Sequence, residues 1–194
     1  MAKLTQLIPA PELPPGQIGA IRNQVAKALL GQASSELRLS VDNLIVRNIR
    51  PQSDLDWCSN TDYSTAVTTD IWPCTVKSAA TYKDIITAAS TTMADQRYVA
   101  IYGLRDSRFA IATPIAQTTS LFKFDVGHSV KSIWDLTKCY AYRSKVVGIS
   151  PSAIIIPQNT YFQISGYLFD SSAVASYISL IGMVCEPRGQ VISP

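Results

Sequence analysis

The sequence predicts an all-β protein, and the pattern near its end is the main reason. Residues 161–169 and 174–185 are two apolar-rich runs in which β-branched and aromatic side chains recur at every second position. The polar residues 170–172 separate them. Such alternation around a polar break is typical of two strands that pair with each other in antiparallel fashion. The second run is apolar at both parities over its later half, which predicts burial on both of its faces.

Strand-like segments separated by turn residues also recur upstream. Residues 37–49 alternate apolar and polar side chains, with Asn43 marking a bulge. Further segments follow at residues 97–104, 108–112, 120–126, 138–142, 145–149 and 153–156, and we expect the first two of these to form a hairpin. Many short strands at regular spacing indicate a sandwich or a barrel, and a count of about eight fits a single jelly-roll β-sandwich.

The N-terminal region predicts an arm followed by an amphipathic helix. Residues 1–15 contain prolines at positions 9, 11, 14 and 15, which favour an extended chain over a helix. Over residues 16–31, Ile18, Ile21, Val25 and Leu29 recur at spacings of three and four, as on one helix face. Gly31 is placed to end this helix in a left-handed cap. We therefore assign residues 1–35 to the arm and helix, and residues 36–194 to the jelly-roll domain.

The segment from residue 57 to residue 95 has the least regular pattern. It is rich in Ser, Thr and Ala. Residues 65–69 and 71–76 are candidates for short strands, and we expect residues 81–89 to form a short helix. Insertions of this kind in a sheet protein usually cover a sheet edge or a sheet end.

Charged residues are scarce: they make up 16% of the chain, against roughly 25% in an average soluble domain. A surface so poor in charge predicts that other copies of the chain cover much of it. The net charge of +3 is too small to indicate nucleic-acid binding by itself. The chain has no apolar run of about 18 residues and no signal-peptide pattern, so we expect synthesis in the cytoplasm.

No constellation of residues in the sequence indicates catalysis, so we expect no enzyme activity, no cofactor and no metal. His128 is the only histidine and follows Gly127 in a predicted turn. A catalytic role would need partner residues, and the Gly-x-Ser-x-Gly elbow is absent. Asp54 and Asp56 form an Asp-x-Asp pair that lacks the glycine and further oxygen ligands of a calcium loop. No glycine-rich phosphate loop occurs either.

The cysteines match no zinc-binding pattern, and we expect them to be buried as small apolar side chains. They are Cys58, Cys74, Cys139 and Cys185. Cys58 and Cys74 flank a polar loop and are the candidates for a disulfide bond. Inside a cell, such a bond would fit a hyperthermophile.

Three basic side chains accompany the arm and helix: Lys3, Arg22 and Lys27. One hypothesis places them against a membrane surface or packaged nucleic acid. The alternative is a helix that packs by its apolar face on its own domain or on a neighbouring subunit. Two basic side chains on the helix are fewer than membrane-binding clusters use, so the sequence favours the alternative.

The order of these elements resembles that of a known family. A basic, proline-containing arm, an amphipathic helix, a low-charge series of about eight strands and a short tail at residues 186–194 are similar to the single jelly-roll major capsid proteins of tailless icosahedral viruses. The small capsid proteins of membrane-containing bacterial and archaeal viruses are nearest in organisation. The resemblance spans nearly the whole chain and lies in organisation, without a diagnostic motif.

That resemblance implies a structural subunit of the virion that self-assembles into an icosahedral shell around the genome. Its implied partners are other copies of the chain, with or without a second capsid protein. Lys3, Arg22 and Lys27 would face inward, beside an internal lipid membrane or the packaged nucleic acid. No small-molecule substrate is implied.

A function of another class is a carbohydrate- or receptor-binding β-sandwich module, as in a spike or a lectin-like protein. Its contacts would come from exposed aromatic side chains, for which Trp57, Tyr63, Trp72 and Trp134 are the candidates. The apolar helix and the basic arm have no role in such a module. The sequence therefore favours the shell subunit.

Overall fold

The protein is mostly β, with two sheets in a sandwich-like arrangement and one long helix. A computed structural model describes residues 3–49, 72–75, 81–86, 92–106, 119–143, 146–168 and 175–189. The helix is α1, Gln17–Leu37, and 3-10 turns lie at Ala10–Glu12, Val41–Asn43 and Thr137–Ala141. The strands, in chain order, are β1 Lys3–Gln6, β2 Ile8–Pro9, β3 Leu44–Asn48, β4 Trp72–Thr75, β5 Tyr82–Ile86, β6 Tyr98–Asp106, β7 Thr119–Val126, β8 Ser129–Asp135, β9 Val146–Ile156, β10 Phe162–Leu168 and β11 Ala175–Pro187.

The strands divide between two sheets. The first sheet has the order β1-β8-β7-β10-β5, and the second has the order β2-β9-β6-β11-β3. β4 also belongs to the second sheet, because it pairs with the start of β11 while β3 pairs with its end. Four antiparallel pairs are nested along the chain: β3 with β11, β5 with β10, β6 with β9, and β7 with β8.

The main core lies between the two sheets. The first sheet contributes aromatic side chains, among which the ring of Phe124 lies 4.5 Å from that of Trp134 and 6.3 Å from that of Phe162. The second sheet contributes aliphatic side chains such as Leu180 and Val184. Alternation along each strand sends every second side chain into this layer, which accounts for the period-two pattern in the sequence.

Helix α1 covers the outer face of the second sheet and makes a second apolar layer. Val25, Leu29 and Ala33 on the helix pack with Met183 and Cys185 of β11. Because Val184 of the same strand lies in the main core, β11 is buried on both faces over its later half, as the sequence predicts.

The prediction that Gly31 ends the helix is wrong. The helix continues to Leu37, and Arg38 adopts the left-handed conformation that closes it, with φ 56°. Ala33 extends the buried stripe of Val25 and Leu29 by one more turn, so packing on the sheet carries the helix past the glycine. The helical tendency of a segment depends on such tertiary packing more than on single residues.

The predicted arm lies along the edges of both sheets. β1 pairs in parallel with β8 of the first sheet, and β2 pairs with β9 of the second sheet. Between them, Leu7 is fully buried in the main core, and its backbone N–H donates to the carbonyl oxygen of Asp135 at 2.9 Å. One extended segment therefore passes from one sheet to the other.

The prediction that residues 161–169 and 174–185 pair with each other is wrong. The corresponding strands, β10 and β11, belong to different sheets. Phe162 and Ile164 of β10 belong to the same core layer as Ile178 and Leu180 of β11, between the two sheets. Both strands need one face buried, and facing each other across the sandwich satisfies that need as well as lateral pairing does.

Three predicted elements have a different conformation. Residues 81–89 were expected to be helical, but Tyr82–Ile86 is strand β5, which hydrogen-bonds along β10; long-range pairing overrides local preference here. The strand expected at residues 138–142 is replaced by the 3-10 turn Thr137–Ala141, in which Cys139 and Tyr140 are buried and the side chain of Asp135 accepts from the backbone N–H of Thr137. The strand predicted at residues 37–49 is confined to Leu44–Asn48.

Two further differences involve β8 and β9. Ser129–Asp135 was not predicted as a strand, because only Val130, Ile133 and Trp134 among its seven residues give it strand character. The segments 145–149 and 153–156 form the single strand β9, and the break expected between them is a bulge in which residues 150–153 oppose Tyr102 alone. Residues 65–69 and 108–112 lie outside the described ranges, while the strands expected at 71–76, 97–104 and 120–126 match β4, β6 and β7.

Candidate interaction surfaces

The structure separates the three basic residues that the sequence placed together. Arg22 and Lys27 are exposed on α1, which lies over the second sheet. Lys3 lies on β1, at the edge of the first sheet. The helix packs on its own domain by its apolar face. The contact of these three residues with a membrane or with nucleic acid stays a prediction.

The two cysteines whose side chains the structure describes are not in positions that indicate a chemical role. Cys139 and Cys185 are free, buried thiols, and burial raises their pKa values to about 12 and about 11, respectively. Cys58 lies outside the described residues, and of Cys74 only the backbone is described, so the proposed disulfide between them falls outside as well. Asp54 and Asp56 also lie outside. Among the residues that the structure describes, no group of three metal-ligating side chains occurs.

His128 lies in a turn, as the sequence predicts. Gly127 and His128 have φ angles of 61° and 58° and form the two-residue connection between β7 and β8, which is the backbone that a tight hairpin requires. The imidazole ring stacks on the ring of Tyr161, with centroids 4.2 Å apart.

Buried polar side chains at the ends of the sandwich hold strands together. The carboxylate of Glu186 accepts from Nε of Arg47 at 2.9 Å and lies 3.5 Å from Nε of Arg97. Elsewhere in the core, the hydroxyl of Tyr140 donates to the carboxylate of Asp106 at 3.1 Å. These contacts join residues distant in sequence, which indicates a structural role.

The arm is also held by an exposed cluster around Glu12. Nζ of Lys138 and the hydroxyl of Tyr142 donate to its carboxylate at 2.6 and 2.9 Å. These hydrogen bonds, with that of Lys138 first, lower the pKa of Glu12, while the pKa of Lys138 is raised mainly by the same bond. Because Glu12 belongs to the arm and the donors follow β8, the cluster fixes the arm on its own domain.

The outer face of the first sheet carries a row of partly exposed aromatic side chains. The rings of Tyr82 and Tyr167 lie 5.1 Å apart on adjacent strands. The ammonium group of Lys123 lies 5.3 Å from the centre of the Tyr82 ring, and Asp125 pairs with it at 3.4 Å. Farther along, Tyr161 donates a hydrogen bond to Gln163. The helix covers the other sheet, so this face presents side chains to the outside.

Trp134 cannot act as an exposed aromatic contact. It is 1% exposed and packs in the core against Phe124. Of the other candidates for a carbohydrate-binding site, Trp57 and Tyr63 lie outside the described residues, and only the backbone of Trp72 is described. The tyrosines of the outer face were not among the sequence candidates, because no sequence signal distinguishes the two faces of a strand when both carry aromatic residues.

A cleft opens between the two sheets where β1 and β8 approach the bulge of β9. Its volume is about 270 Å³, and its lining includes Lys3, Thr5, Lys131, Ser132 and residues 152–155. Trp134 forms part of its wall. Lys131 could not be assigned to a site from the sequence, because the strand that carries it was not predicted.

Comparisons with known proteins identify no relative. No protein-family model matches the chain. No curated protein matches it. No solved structure matches it. Within the described ranges, no helix has both the length and the apolar character needed to cross a bilayer.

Proposed function

We propose that the protein is a structural subunit of an icosahedral viral capsid, built on a single jelly roll. The observation that carries the proposal is the nested pairing of eight strands: β3 with β11, β5 with β10, β6 with β9, and β7 with β8. A chain that folds back on itself in this order gives two four-stranded antiparallel sheets joined by Greek-key connections, which is the jelly-roll plan of capsid and lectin domains. β1, β2 and β4 are additions to this plan.

The step from fold to shell rests on the surface, because one fold serves many functions. Large exposed apolar side chains lie on opposite lateral sides of the sandwich. Val41 and Ile45 lie at the β3 edge, while Leu4 and Val130 lie at the β1 edge. Two different apolar patches on opposite sides favour head-to-tail contacts between copies, which close into rings when the rotation allows.

The low charge of the chain supports the same assembly. With 16% charged residues, neighbouring copies can cover these edges with little desolvation of charged groups. Residues 3–9 of the arm are not a flexible tether in the folded subunit, because they already form the edge strands of both sheets. Contacts between subunits would then be made by rigid surfaces.

Electron microscopy of the protein purified from its native source, with mass measurement per particle, tests the proposal. We expect closed shells of many copies. A charge at one lateral edge, Ile45→Glu, should prevent closure, whereas Gln24→Glu adds the same charge on the exposed side of α1, away from the end of the helix that leads into β3, and should assemble. A discrete monomer or trimer at every salt concentration would exclude a shell subunit.

Deletion of the arm and helix is not a clean test of assembly. Removing residues 1–31 would take Leu7 out of the main core and uncover the apolar layer beneath Val25 and Leu29. Such a variant would lose stability before any effect on assembly could be measured. Single substitutions at exposed edges avoid this difficulty.

A second function, binding of a carbohydrate, is favoured by the aromatic row on the first sheet. Tyr82 and Tyr167 present adjacent rings, with Lys123, Asp125 and Gln163 as polar neighbours on the same sheet. Aromatic faces beside hydrogen-bonding groups suit sugar rings, which have apolar and polar surfaces. Glycan-array binding by the wild type that Tyr167→Ala abolishes would support this function, and an array without signal would exclude it for the glycans displayed.

A further inference from the structure

The cleft between the two sheets has the features of a binding site for a small anion. Its volume of about 270 Å³ is below the range of roughly 300–1,000 Å³ that is usual for pockets of drug-sized ligands. It therefore fits a small group rather than a whole organic molecule. The hydroxyl groups of Thr5 and Ser132 lie 3.5 Å apart on its lining.

Lys3 faces the cleft because of its position in the register of β1. Lys3 pairs with Ser132 and Thr5 pairs with Trp134, and paired residues point to the same side of a sheet. Trp134 lies in the main core, and Leu7, at the same parity as Lys3 and Thr5, is fully buried there. The side chain of Lys3 therefore extends from the inward face of β1, at the open end of the core, and brings its ammonium group to the cleft.

Lys131 faces the cleft because of a bulge. Phe124 pairs with Ser132 and Asp125 pairs with Val130, so Lys131 is the extra residue, opposite no partner on β7. Bulges of this kind turn a side chain away from the regular alternation. The second bulge, residues 150–153 of β9, lies on the facing sheet, and residues 152–155 form the opposite wall. The bulge of β8 and the bulge of β9 therefore both lie at the cleft, next to the two lysines.

The charge of the cleft lining is positive among the described residues. Among the residues described around it, no carboxylate belongs to the lining, and the ion pairs of the described chain involve neither Lys3 nor Lys131. We propose that this cleft binds a phosphate group, with the two ammonium groups balancing its charge and the hydroxyl group of Thr5 donating to one of its oxygens. The hydroxyl of Ser132 donates to the backbone carbonyl oxygen of Lys3 at 3.2 Å and holds β1 in place beside the cleft. The proposal does not rest on shell assembly.

The surroundings favour the phosphate of a lipid headgroup over free phosphate. Leu4 is 63% exposed and Val130 is 37% exposed, and each is adjacent in sequence to one of the two lysines. Because side chains alternate along a strand, Leu4 lies on the outer side of β1 and Lys3 on the inner side. A bilayer that meets this sheet edge would take up the exposed apolar groups on the outer side, with the ammonium groups reaching the phosphates from the cleft. Inorganic phosphate would use the two lysines and the hydroxyl of Thr5 without the apolar side chains.

Binding is measured with three probes: vesicles of phosphatidylcholine with and without phosphatidylglycerol, inorganic pyrophosphate, and a single-stranded oligonucleotide. The test variant is Lys3→Gln/Lys131→Gln. Its matched control is Arg105→Gln/Arg143→Gln, which removes two exposed charges that lie outside the cleft and in no described ion pair. Circular dichroism and thermal unfolding establish that both variants are folded, and Leu4→Gln/Val130→Gln reports on the apolar contribution.

We expect the wild type to bind the anionic vesicles, the lysine variant to bind about thirtyfold more weakly and the arginine control to change much less. Weaker vesicle binding by Leu4→Gln/Val130→Gln, with pyrophosphate binding unchanged, would identify the lipid as the source of the phosphate. Lysine-dependent binding of pyrophosphate without vesicle binding would support the site with free phosphate as its ligand. Equal losses in both double variants, preference for the oligonucleotide, or no lysine-dependent binding would overturn the proposal.

Discussion

The Nε atom of Arg97 lies 3.5 Å from Oε2 of Glu186, and only 2% and 7% of the two side chains are exposed. Arg47 donates to the other carboxylate oxygen of Glu186. Arg47 and Glu186 belong to β3 and β11, which pair, and Arg97 immediately precedes β6 on the other side of β11. One buried carboxylate therefore joins three neighbouring chain segments at one end of the second sheet.

Replacement of Arg97 by methionine should destabilise the protein by about 3–5 kcal/mol, because it removes one cationic partner from a buried carboxylate. Urea unfolding gives the free-energy change. The control is Arg105→Met on the exposed side of β6, which should change stability by less than about 0.5 kcal/mol. A loss below about 1 kcal/mol for Arg97→Met would show that the buried cluster contributes little.

Leu7 and Leu4 provide a test of whether the arm is part of the folded domain. Leu7 is fully buried in the main core, whereas Leu4, three residues earlier, is largely exposed. Leu7→Ala should reduce the free energy of unfolding by about 2–5 kcal/mol, and Leu4→Ala by less than about 0.5 kcal/mol. Equal effects, measured by chemical denaturation, would mean that the arm is not anchored at Leu7.

The same substitution at two glycines should have opposite effects. A Cβ atom at Gly182 would lie 2.5 Å from the backbone oxygen of Ala100, whereas at Gly31 it would meet nothing within 4 Å. Gly182→Ala should therefore destabilise by about 1–3 kcal/mol through overpacking, while Gly31→Ala should stabilise the exposed side of α1 by about 1 kcal/mol. Thermal unfolding shows whether each variant is more or less stable than the wild type. A destabilised Gly31→Ala would contradict a helix that continues through this position.

The cluster around Glu12 predicts a pH dependence of the arm. The hydrogen bond from Lys138 lowers the pKa of Glu12 from its usual 4.5. The ionised carboxylate of Glu12 therefore stabilises the folded arm fully when the pH is above its usual pKa. This stabilisation is lost as the pH falls through the lowered pKa of the folded protein. At basic pH it is lost as the pH rises through the raised pKa values of Lys138 and Tyr142.

An NMR titration of the Glu12 carboxyl carbon measures this effect. Lys138→Gln should raise the midpoint of the titration toward the usual value, because it removes the largest cause of the shift. Lys27→Gln on α1 serves as the control and should leave the midpoint unchanged. A midpoint that does not respond to Lys138→Gln would mean that the arm is not held there in solution.

The buried thiols of Cys139 and Cys185 should resist alkylation in the folded protein. Burial raises their pKa values to about 12 and about 11, so the reactive thiolate is scarce at about pH 8 as well as inaccessible. Iodoacetamide labelling followed by peptide mass spectrometry measures the rate at each residue. Rapid labelling without denaturant would contradict the buried positions, and a digest without reductant reports whether Cys58 and Cys74 are linked.

The sequence predicts those strands whose own side chains alternate strongly. β7 and β10 follow from their aromatic and aliphatic positions, and the double burial of β11 follows from apolar residues at both parities. Ser129–Asp135 was missed because its pattern is mostly polar, and Lys131 was missed with it. Of the cleft lining, Lys3 and Trp134 were sequence candidates. Lys131 was not, because the bulge that turns it inward depends on the register with β7.

The sequence by itself determined a mostly β chain, a helix with an apolar stripe, the turn at Gly127 and His128, and an arm that is extended rather than helical. These properties follow from local preferences and from the periodicity of apolar side chains. The tertiary structure decided which strands pair, why β10 and β11 face each other instead of lying side by side, and where the helix ends. Those outcomes depend on contacts between residues far apart in the chain, and alternation alone shows that a strand has a buried face without showing which neighbour covers it.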